Sequence, residues 1–146
     1  SSKSRTIELN VPNEYDKKND NIISVPLLGK IAAGNPIEAI ERPNEFFSLP
    51  KELVPLNNEV FTLEVNGDSM INIGIFDNDI VIVKKCNTAN NGDIVVAMTD
   101  ENEVTLKRFF KENNHIRLQP ENDYLEPIIL NNVTVLGKAI GLYRKI

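Results

Sequence analysis

Hydrophobic and polar residues alternate over short stretches in most of this chain. From Ser24 onward, runs rich in valine, isoleucine, leucine and threonine are separated by asparagine, aspartate, glycine and proline. Runs of this length and composition are typical of β-strands. The clearest are Val60–Val65, Asp79–Val83, Asp93–Thr99, Glu103–Phe109, His115–Leu118 and Val133–Tyr143. The best helical signal is the short stretch Pro50–Leu53, since proline is tolerated at a first helical position. The pattern therefore predicts a mostly β fold of hairpins and small sheets with little helix.

The segments between these runs have the composition of tight turns. They are Asp77–Asp79, Asn90–Asp93, Asp100–Asn102 and Glu112–Asn114. Asparagine and glycine accept a positive φ there, and aspartate and asparagine can hydrogen-bond to their own backbone. We therefore expect hairpin connections between strands.

Residues 1–24 differ from the rest of the chain. They contain isolated apolar residues without a sustained period, and their four basic and four acidic side chains cancel. The net charge of −5 therefore lies in residues 25–146. We interpret residues 1–24 as an interdomain linker or loosely held arm, and residues 25–146 as one compact domain.

The composition argues against several classes of protein. The acidic excess argues against nucleic-acid binding through a broad basic surface. The sequence has one cysteine, Cys86, and one histidine, His115, so we expect no intrachain disulfide, no metal and no cofactor. No run approaches the ~18 apolar residues of a membrane-spanning helix. We expect a soluble, cytoplasmic protein with no membrane partner.

The first candidate for chemistry is the segment Ile31–Pro36, which reads Ile-Ala-Ala-Gly-Asn-Pro. Two alanines followed by Gly34 leave the carbonyl of Ala33 unshielded, and a nucleophile must approach a carbonyl to roughly 3–3.5 Å. Gly34 also permits a tight bend that would present one peptide bond to an active site. By itself the segment is equally typical of a turn between two strands.

The second candidate is Gly67–Met70, which follows the apolar run ending at Val65. A serine at the end of a strand can project its hydroxyl at a surface, and backbone N–H groups of the same turn can serve as oxyanion donors. The alternative is that Asp68 or Ser69 merely caps a short helical turn at Met70–Ile73.

The third candidate is Lys107, which shares one face of a predicted strand with Thr105 and Phe109 by period-two alternation. A lysine acts as a general base only when it is neutral, so its pKa must fall below the usual value of about 10.4, and burial has that effect. By itself Lys107 is equally typical of a solvated strand lysine. His115 lies in a polar turn and Cys86 has no evident partner, so a Ser/Lys dyad is the best supported nucleophilic arrangement.

Taken in order, these motifs resemble the C-terminal domain of LexA-type repressors, a family of self-cleaving serine peptidases. The order is Ala-Gly, then Gly-Asp-Ser-Met, then Val-Thr-Leu-Lys-Arg, with 35 positions from Gly34 to Ser69 and 38 from Ser69 to Lys107. Flanking segments are also similar to the family pattern. These are Val25–Gly29, Ile73–Asp79, Leu118–Asn122 and Val135–Gly141.

The resemblance implies specific roles for residues of this chain. Ser69 would be the nucleophile, Lys107 the general base and Ala33–Gly34 the cleaved bond, with the backbone N–H groups of Asp68 and Ser69 as oxyanion donors. It also implies stimulation by RecA filaments on single-stranded DNA, in the response to DNA damage. Dimerisation is implied as well, and Val133–Tyr143 is a candidate edge strand for a two-fold pairing.

One feature of the family's repressors has no counterpart in the sequence, namely the N-terminal winged helix-turn-helix that binds the operator. We therefore expect operator DNA to be bound only through such a domain and not by this chain alone. The sequence leaves three alternatives open. They are a UmuD-like self-cleaving polymerase accessory protein, a type I signal peptidase, and a dimerisation domain without catalytic activity.

Overall fold

A computed structural model describes residues 21–31, 45–54 and 59–146 of the chain. Nine strands occur in these residues, together with two short 3-10 helices, Lys51–Leu53 and Ile71–Ile73. The strands are β1 (Ile22–Ile31), β2 (Glu45–Pro50), β3 (Val60–Val65), β4 (Ile80–Lys85), β5 (Ile94–Met98), β6 (Val104–Lys111), β7 (Ile116–Gln119), β8 (Ile128–Leu130) and β9 (Thr134–Tyr143). The fold is mostly β, as the hydrophobic pattern predicts.

The strands form one sheet in the order β2-β1-β3-β4-β9-β5-β6-β7-β8. All neighbouring pairs are antiparallel except β1 and β3, which run parallel. The sheet therefore has two halves, β2 to β4 and β5 to β8, and the last strand of the chain joins them. This arrangement matters for the site, because β3 and β6 belong to different halves.

The two halves share a hydrophobic core. Side chains of β3 and β4, including Leu63 and Val83, belong to the same buried cluster as Val96 and Leu106 of β5 and β6. Each side chain that is fully buried in this way stabilises the fold by about 1.5–3 kcal/mol. Packing across this cluster brings the end of β3 close to β6.

A second cluster covers the other face of β5 and β6. Alternate residues of β5 point in opposite directions, so Val96 packs in the shared core while Val95 packs with Phe109 and Leu118. Because both faces of β5 are covered, its three middle residues are fully buried. This double covering makes β5 and β6 a rigid support for any side chain placed on them.

The strands that the sequence predicts are present, with ends shifted by a few residues, and three further strands were not predicted. The three are β1, β2 and β8. Ile22–Ser24, which we assigned to the N-terminal arm, belong to β1 and pair with β2. Two of the predicted turns place asparagine at positive φ, 73° at Asn78 and 64° at Asn102.

The expectation that Val133–Tyr143 forms an edge strand is wrong for the first half of the strand that the structure shows there. β9 lies between β4 and β5. However, β5 is only five residues long, and its pairing with β9 ends at Lys138. The second half of β9 (residues 139–143) therefore pairs with β4 alone and leaves one side of its backbone without a strand partner among the described residues.

Candidate active site

The turn that carries Ser69 is anchored on both sides. Met70, the next residue, is 1% exposed and packs in the shared core, whereas Ser69 itself stays partly exposed. On the other side, the N–H of Gly67, where φ is 107°, donates a hydrogen bond of 2.7 Å to Oδ1 of Asp77. The chain thus presents the serine hydroxyl at the surface from a fixed backbone.

Ser69 does not act as a helix cap, and neither does Asp68. The 3-10 helix that follows begins after Met70, and no side chain caps it. The capping interpretation of the Gly67–Met70 motif is therefore wrong. The serine hydroxyl is left free for another contact.

That contact is with Lys107, 38 positions later on β6. The Nζ of Lys107 lies 3.4 Å from the Oγ of Ser69 and donates a shorter hydrogen bond, 2.6 Å, to the Oγ1 of Thr105. Thr105 and Lys107 project from the same face of the strand because they are two residues apart. The amine is therefore held between one hydroxyl on its own strand and the hydroxyl of the serine.

Burial lowers the pKa of Lys107 below its ordinary value of 10.5. The cause is loss of hydration, which penalises the charged ammonium relative to the neutral amine. No acidic side chain forms an ion pair with Lys107 among the described residues. A carboxylate there would favour the charged form and oppose this shift.

The backbone amides beside the serine are also available. Within the described part of the chain, the N–H groups of Asp68 and Ser69 donate no hydrogen bond to protein atoms. Two adjacent free N–H groups next to a nucleophile have the chemistry required of oxyanion donors.

A cleft of about 330 Å³ runs past these groups. Its apolar lining includes Val65, Leu106 and Ile128, and Thr99 and Glu103 lie along it as well. One wall is the first half of β6, which pairs with β5 but not with β7, because β7 begins its pairing at Arg108. Among the described residues, the cleft therefore borders a stretch of strand whose second side has no strand partner, which suits an extended peptide.

The proposed cleavage position, Ala33–Gly34, lies outside the described residues. The nearest described residue is Ile31, which ends β1 and pairs with Val65 at the end of β3. The chain thus leaves β1 beside the strand that leads into the Ser69 turn, two positions before Ala33.

The other nucleophilic or basic candidates lie elsewhere. His115 contacts Glu112 at 2.9 Å in the turn between β6 and β7, and the thiol of Cys86 contacts the carbonyl of Thr88 at 3.4 Å. Neither lines the cleft. In the described residues, no group of three or more potential ligands could hold a metal ion, and no helix is long and apolar enough to cross a bilayer.

Sequence reasoning missed two contributors to the site. Thr105 was placed on the face of Lys107 but was given no role, although a hydroxyl two residues from a strand lysine is within reach of its amine. Asn122 was noted only as part of a motif, yet its side chain bonds to the backbone of the serine turn. Its separation of 54 positions from Asp68 gives no local signal.

The chain is similar to known proteins over most of its length. Residues 26–140 match the model of the family described as peptidase S24-like. The chain is 58% identical to the LexA repressor of Listeria welshimeri, over 99% of this chain and 71% of that protein. It is 54% identical to the LexA repressor of Bacillus subtilis and 56% identical to that of Bacillus licheniformis, each over 99% of this chain and 70% of the relative. The chain therefore belongs to the peptidase S24-like family, as a self-cleaving serine peptidase of the LexA repressor type.

Proposed function

We propose that the chain cleaves its own Ala33–Gly34 peptide bond, with Ser69 as the nucleophile and Lys107 as the general base. The observation that carries the proposal is the 3.4 Å separation between the Lys107 amine and the Ser69 hydroxyl, at a position where burial lowers the lysine pKa. The amides of Asp68 and Ser69 support the same assignment, because they lie beside the nucleophile and donate to no other group among the described residues.

The reaction proceeds by acyl transfer. Neutral Lys107 accepts the proton of the Ser69 hydroxyl as Oγ attacks the carbonyl carbon of Ala33. The N–H groups of Asp68 and Ser69 hold the negative oxygen of the tetrahedral intermediate. The bond to the Gly34 nitrogen then breaks, and that nitrogen takes the proton from the Lys107 ammonium. Water, deprotonated by Lys107, hydrolyses the ester between Ala33 and Ser69 and regenerates the site.

Self-cleavage is favoured over cleavage of other proteins by the path of the chain. β1 ends at Ile31 next to Val65, and Val65 is four residues before Ser69. A substrate bond tethered so close to the nucleophile has a high effective concentration. The match to relatives named LexA repressors also favours this interpretation over a polymerase accessory protein or a type I signal peptidase.

The test is incubation of the purified chain from pH 7 to 11, followed by mass spectrometry. We expect cleavage to accelerate as Lys107 loses its proton and to give pieces of 33 and 113 residues. Ser69→Ala and Lys107→Ala should each abolish it. Ser48→Ala and Lys111→Ala, at exposed positions on β2 and β6, are matched controls that should cleave normally. Cleavage that persists in Ser69→Ala would exclude the dyad, and a folded wild-type chain that stays intact at every pH would indicate a domain without catalytic activity.

Under the same proposal, the chain is the self-cleaving domain of a cytoplasmic repressor that is inactivated when RecA filaments form on single-stranded DNA. A filament that binds the form with Ala33–Gly34 in the cleft would shift the population toward it without supplying a catalytic group. Adding RecA, single-stranded DNA and a nucleotide should therefore accelerate cleavage at pH 7 in the wild type and not in Ser69→Ala. Operator DNA should give no bandshift with this chain alone, since we assign operator binding to a separate winged helix-turn-helix domain.

Dimerisation belongs to the same proposal. The second half of β9 has one backbone side without a strand partner in the described part of the chain, and it carries exposed Ile140, Leu142 and Tyr143. Two copies related by a two-fold axis could pair these edges. Ile140→Lys should then weaken the dimer in sedimentation velocity, whereas Ile129→Lys, at another exposed position on β8, should not.

A further inference from the structure

The segment that follows β7 braces the serine turn. We call residues 120–124 the brace. The N–H of Glu121 donates to the carbonyl of Ser69 over 2.8 Å, and the carbonyl of Glu121 accepts from the N–H of Asn72, also over 2.8 Å. The Glu121 carboxylate in turn forms an ion pair of 2.8 Å with Arg108, the residue after Lys107. The brace thus connects the turn that carries the nucleophile to the strand that carries the base.

Asn122 is a buried residue of the brace. The residue is 6% exposed, and its Nδ2 donates a 2.9 Å hydrogen bond to the carbonyl of Asp68. Its Oδ1 accepts the N–H of Tyr124, also at 2.9 Å, which fixes which end of the amide faces Asp68. A buried amide is costly unless both ends are paired, and here both are paired.

The contact with Asp68 has a direct consequence for the neighbouring amide. The peptide bond between Asp68 and Ser69 is planar and trans, so the Asp68 carbonyl and the Ser69 N–H point in opposite directions. A donor that holds the carbonyl from one side therefore directs the N–H to the other side, away from Asn122. In the same way, the bond from Glu121 to the Ser69 carbonyl directs the N–H of Met70.

We propose that Asn122 is a positioning residue of the self-cleavage reaction, which aims the Ser69 N–H at the oxyanion by holding the Asp68 carbonyl. This role rests on the proposed function, in which that N–H is an oxyanion donor. Asn122 itself touches no reacting atom. Its effect is on the stabilisation of the transition state, and the protonation of Lys107 is left unchanged.

The first test measures the self-cleavage rate against pH for wild type and Asn122→Leu. Leucine has nearly the size of asparagine but donates nothing, so the Asp68–Ser69 peptide is free to rotate. We expect the rate at the alkaline plateau to fall by about ten- to a hundredfold, because oxyanion donors and small displacements of catalytic groups have effects of this size. The midpoint of the pH profile should not move.

A second variant covers the case in which Asn122→Leu does not fold. Asn122→Asp retains the acceptor for the Tyr124 N–H but places a carboxylate oxygen against the Asp68 carbonyl. The plateau should fall as in Asn122→Leu, and the midpoint should rise because the added negative charge favours protonated Lys107. Asn113→Asp adds the same charge at an exposed turn and should cleave like wild type.

A second measurement, the rate of labelling of Ser69 by a small electrophile, does not require the cleavage segment to enter the cleft. An alkyl fluorophosphonate forms a bond between its phosphorus and the Ser69 oxygen and releases fluoride, and its phosphoryl oxygen needs the same N–H donors. We expect labelling of Asn122→Leu at the alkaline plateau to slow by about the same factor as cleavage. Thermal unfolding of each variant gives the folded fraction, by which both rates are divided.

The outcomes distinguish failure of the positioning role of Asn122 from failure of the proposed self-cleavage by Ser69 and Lys107. A folded Asn122→Leu variant with wild-type plateau rates of cleavage and labelling would overturn the positioning role, as would a shifted midpoint with an unchanged plateau. If instead Ser69→Ala cleaves and is labelled as fast as wild type, the proposed dyad fails first. Wild-type cleavage that requires Ser69, combined with slow cleavage and slow labelling in Asn122→Leu, is the result that supports both.

Discussion

The amine of Lys107 lies closer to the hydroxyl of Thr105, at 2.6 Å, than to the hydroxyl of Ser69, at 3.4 Å. The two residues are neighbours on one face of β6, and both line the cleft. Thr105 can accept a hydrogen bond from the amine in either protonation state. In the mechanism that we propose, it would therefore hold the amine in place while the proton moves between Ser69 and Lys107.

Replacing this hydroxyl should slow cleavage without unfolding the chain. Thr105→Val keeps the branched shape and removes the acceptor, so the amine samples more positions and the plateau rate should fall about tenfold. Thr134→Val, at an exposed position on β9, is the matched control. Rates at pH 10 to 11, measured by mass spectrometry, test this, and an unchanged rate in Thr105→Val would show that the contact has no catalytic effect.

Burial of Lys107 should make the stability of the chain depend on pH in a defined direction. Because the folded-state pKa lies below the ordinary 10.5, the unfolded chain binds more protons between these two values. The free energy of unfolding should therefore rise with pH across that window. Lys107→Met has no such charge, so it should be more stable than wild type. The difference in the free energy of unfolding should be largest below the folded-state pKa of Lys107 and should shrink toward pH 10.5.

Denaturant unfolding at a series of pH values, in the uncleavable Ser69→Ala background, measures this advantage. Lys111→Met, at the exposed end of the same strand, is the matched control substitution. A Lys107→Met advantage that grows with pH would contradict the argument.

The pair formed by Asp79 and Arg144 should be a strong contributor to stability. The Asp79 carboxylate is 2% exposed, and Arg144 donates to both of its oxygens, at 2.7 and 2.6 Å. The hydrogen bond from Arg144 is the main reason that the pKa of Asp79 is lowered from 3.8. Among the described residues, Arg144→Met leaves the buried carboxylate with the Phe76 N–H as its one hydrogen-bond donor, and we expect a loss of about 1–3 kcal/mol in the free energy of unfolding.

The pH dependence of this loss follows from the lowered pKa. The contribution is present above the ordinary value of 3.8 and disappears as the pH falls through the folded-state pKa. Urea unfolding at pH 7 and at pH 3 should show a smaller difference between wild type and Arg144→Met in acid. Lys145→Met, the neighbouring exposed position, should behave like wild type at both pH values.

Gly137 should be intolerant of any side chain. A Cβ atom there would lie 2.4 Å from Cγ1 of Val83 and 2.8 Å from the carbonyl oxygen of Lys84. Gly137→Ala should therefore force β9 away from β4 and cost about 1–3 kcal/mol. At Gly141 the nearest atom is the flexible end of Ile82, at 3.2 Å, so Gly141→Ala should cost less. If Gly137→Ala and Gly141→Ala lost equal stability in thermal unfolding, this would argue against close packing of β9 on β4 at Gly137.

Hydrophobic periodicity predicted the strands whose apolar residues are numerous and regular, such as β3 and β5. It missed β2 and β8, the two edge strands, because β2 ends in a proline and β8 has only three residues. β1 was missed because Pro26 and a double leucine interrupt its alternation. Short or irregular strands form where a neighbouring strand supplies hydrogen-bond partners. The sequence of the short strand itself carries no signal for those partners.

The sequence by itself determined the residue types of the site, their order along the chain and the mostly β class, because motifs and alternation are local properties. It also pointed to Ser69 and Lys107 as partners, through family resemblance. Tertiary structure alone decided how the two meet, through a core shared by β3 and β6, and how Thr105 and Asn122 hold them. It also decided that, among the described strands, the second half of β9 pairs with β4 alone. These features depend on contacts between residues far apart in the chain, where burial and hydrogen-bond geometry are settled by packing and not by neighbouring sequence.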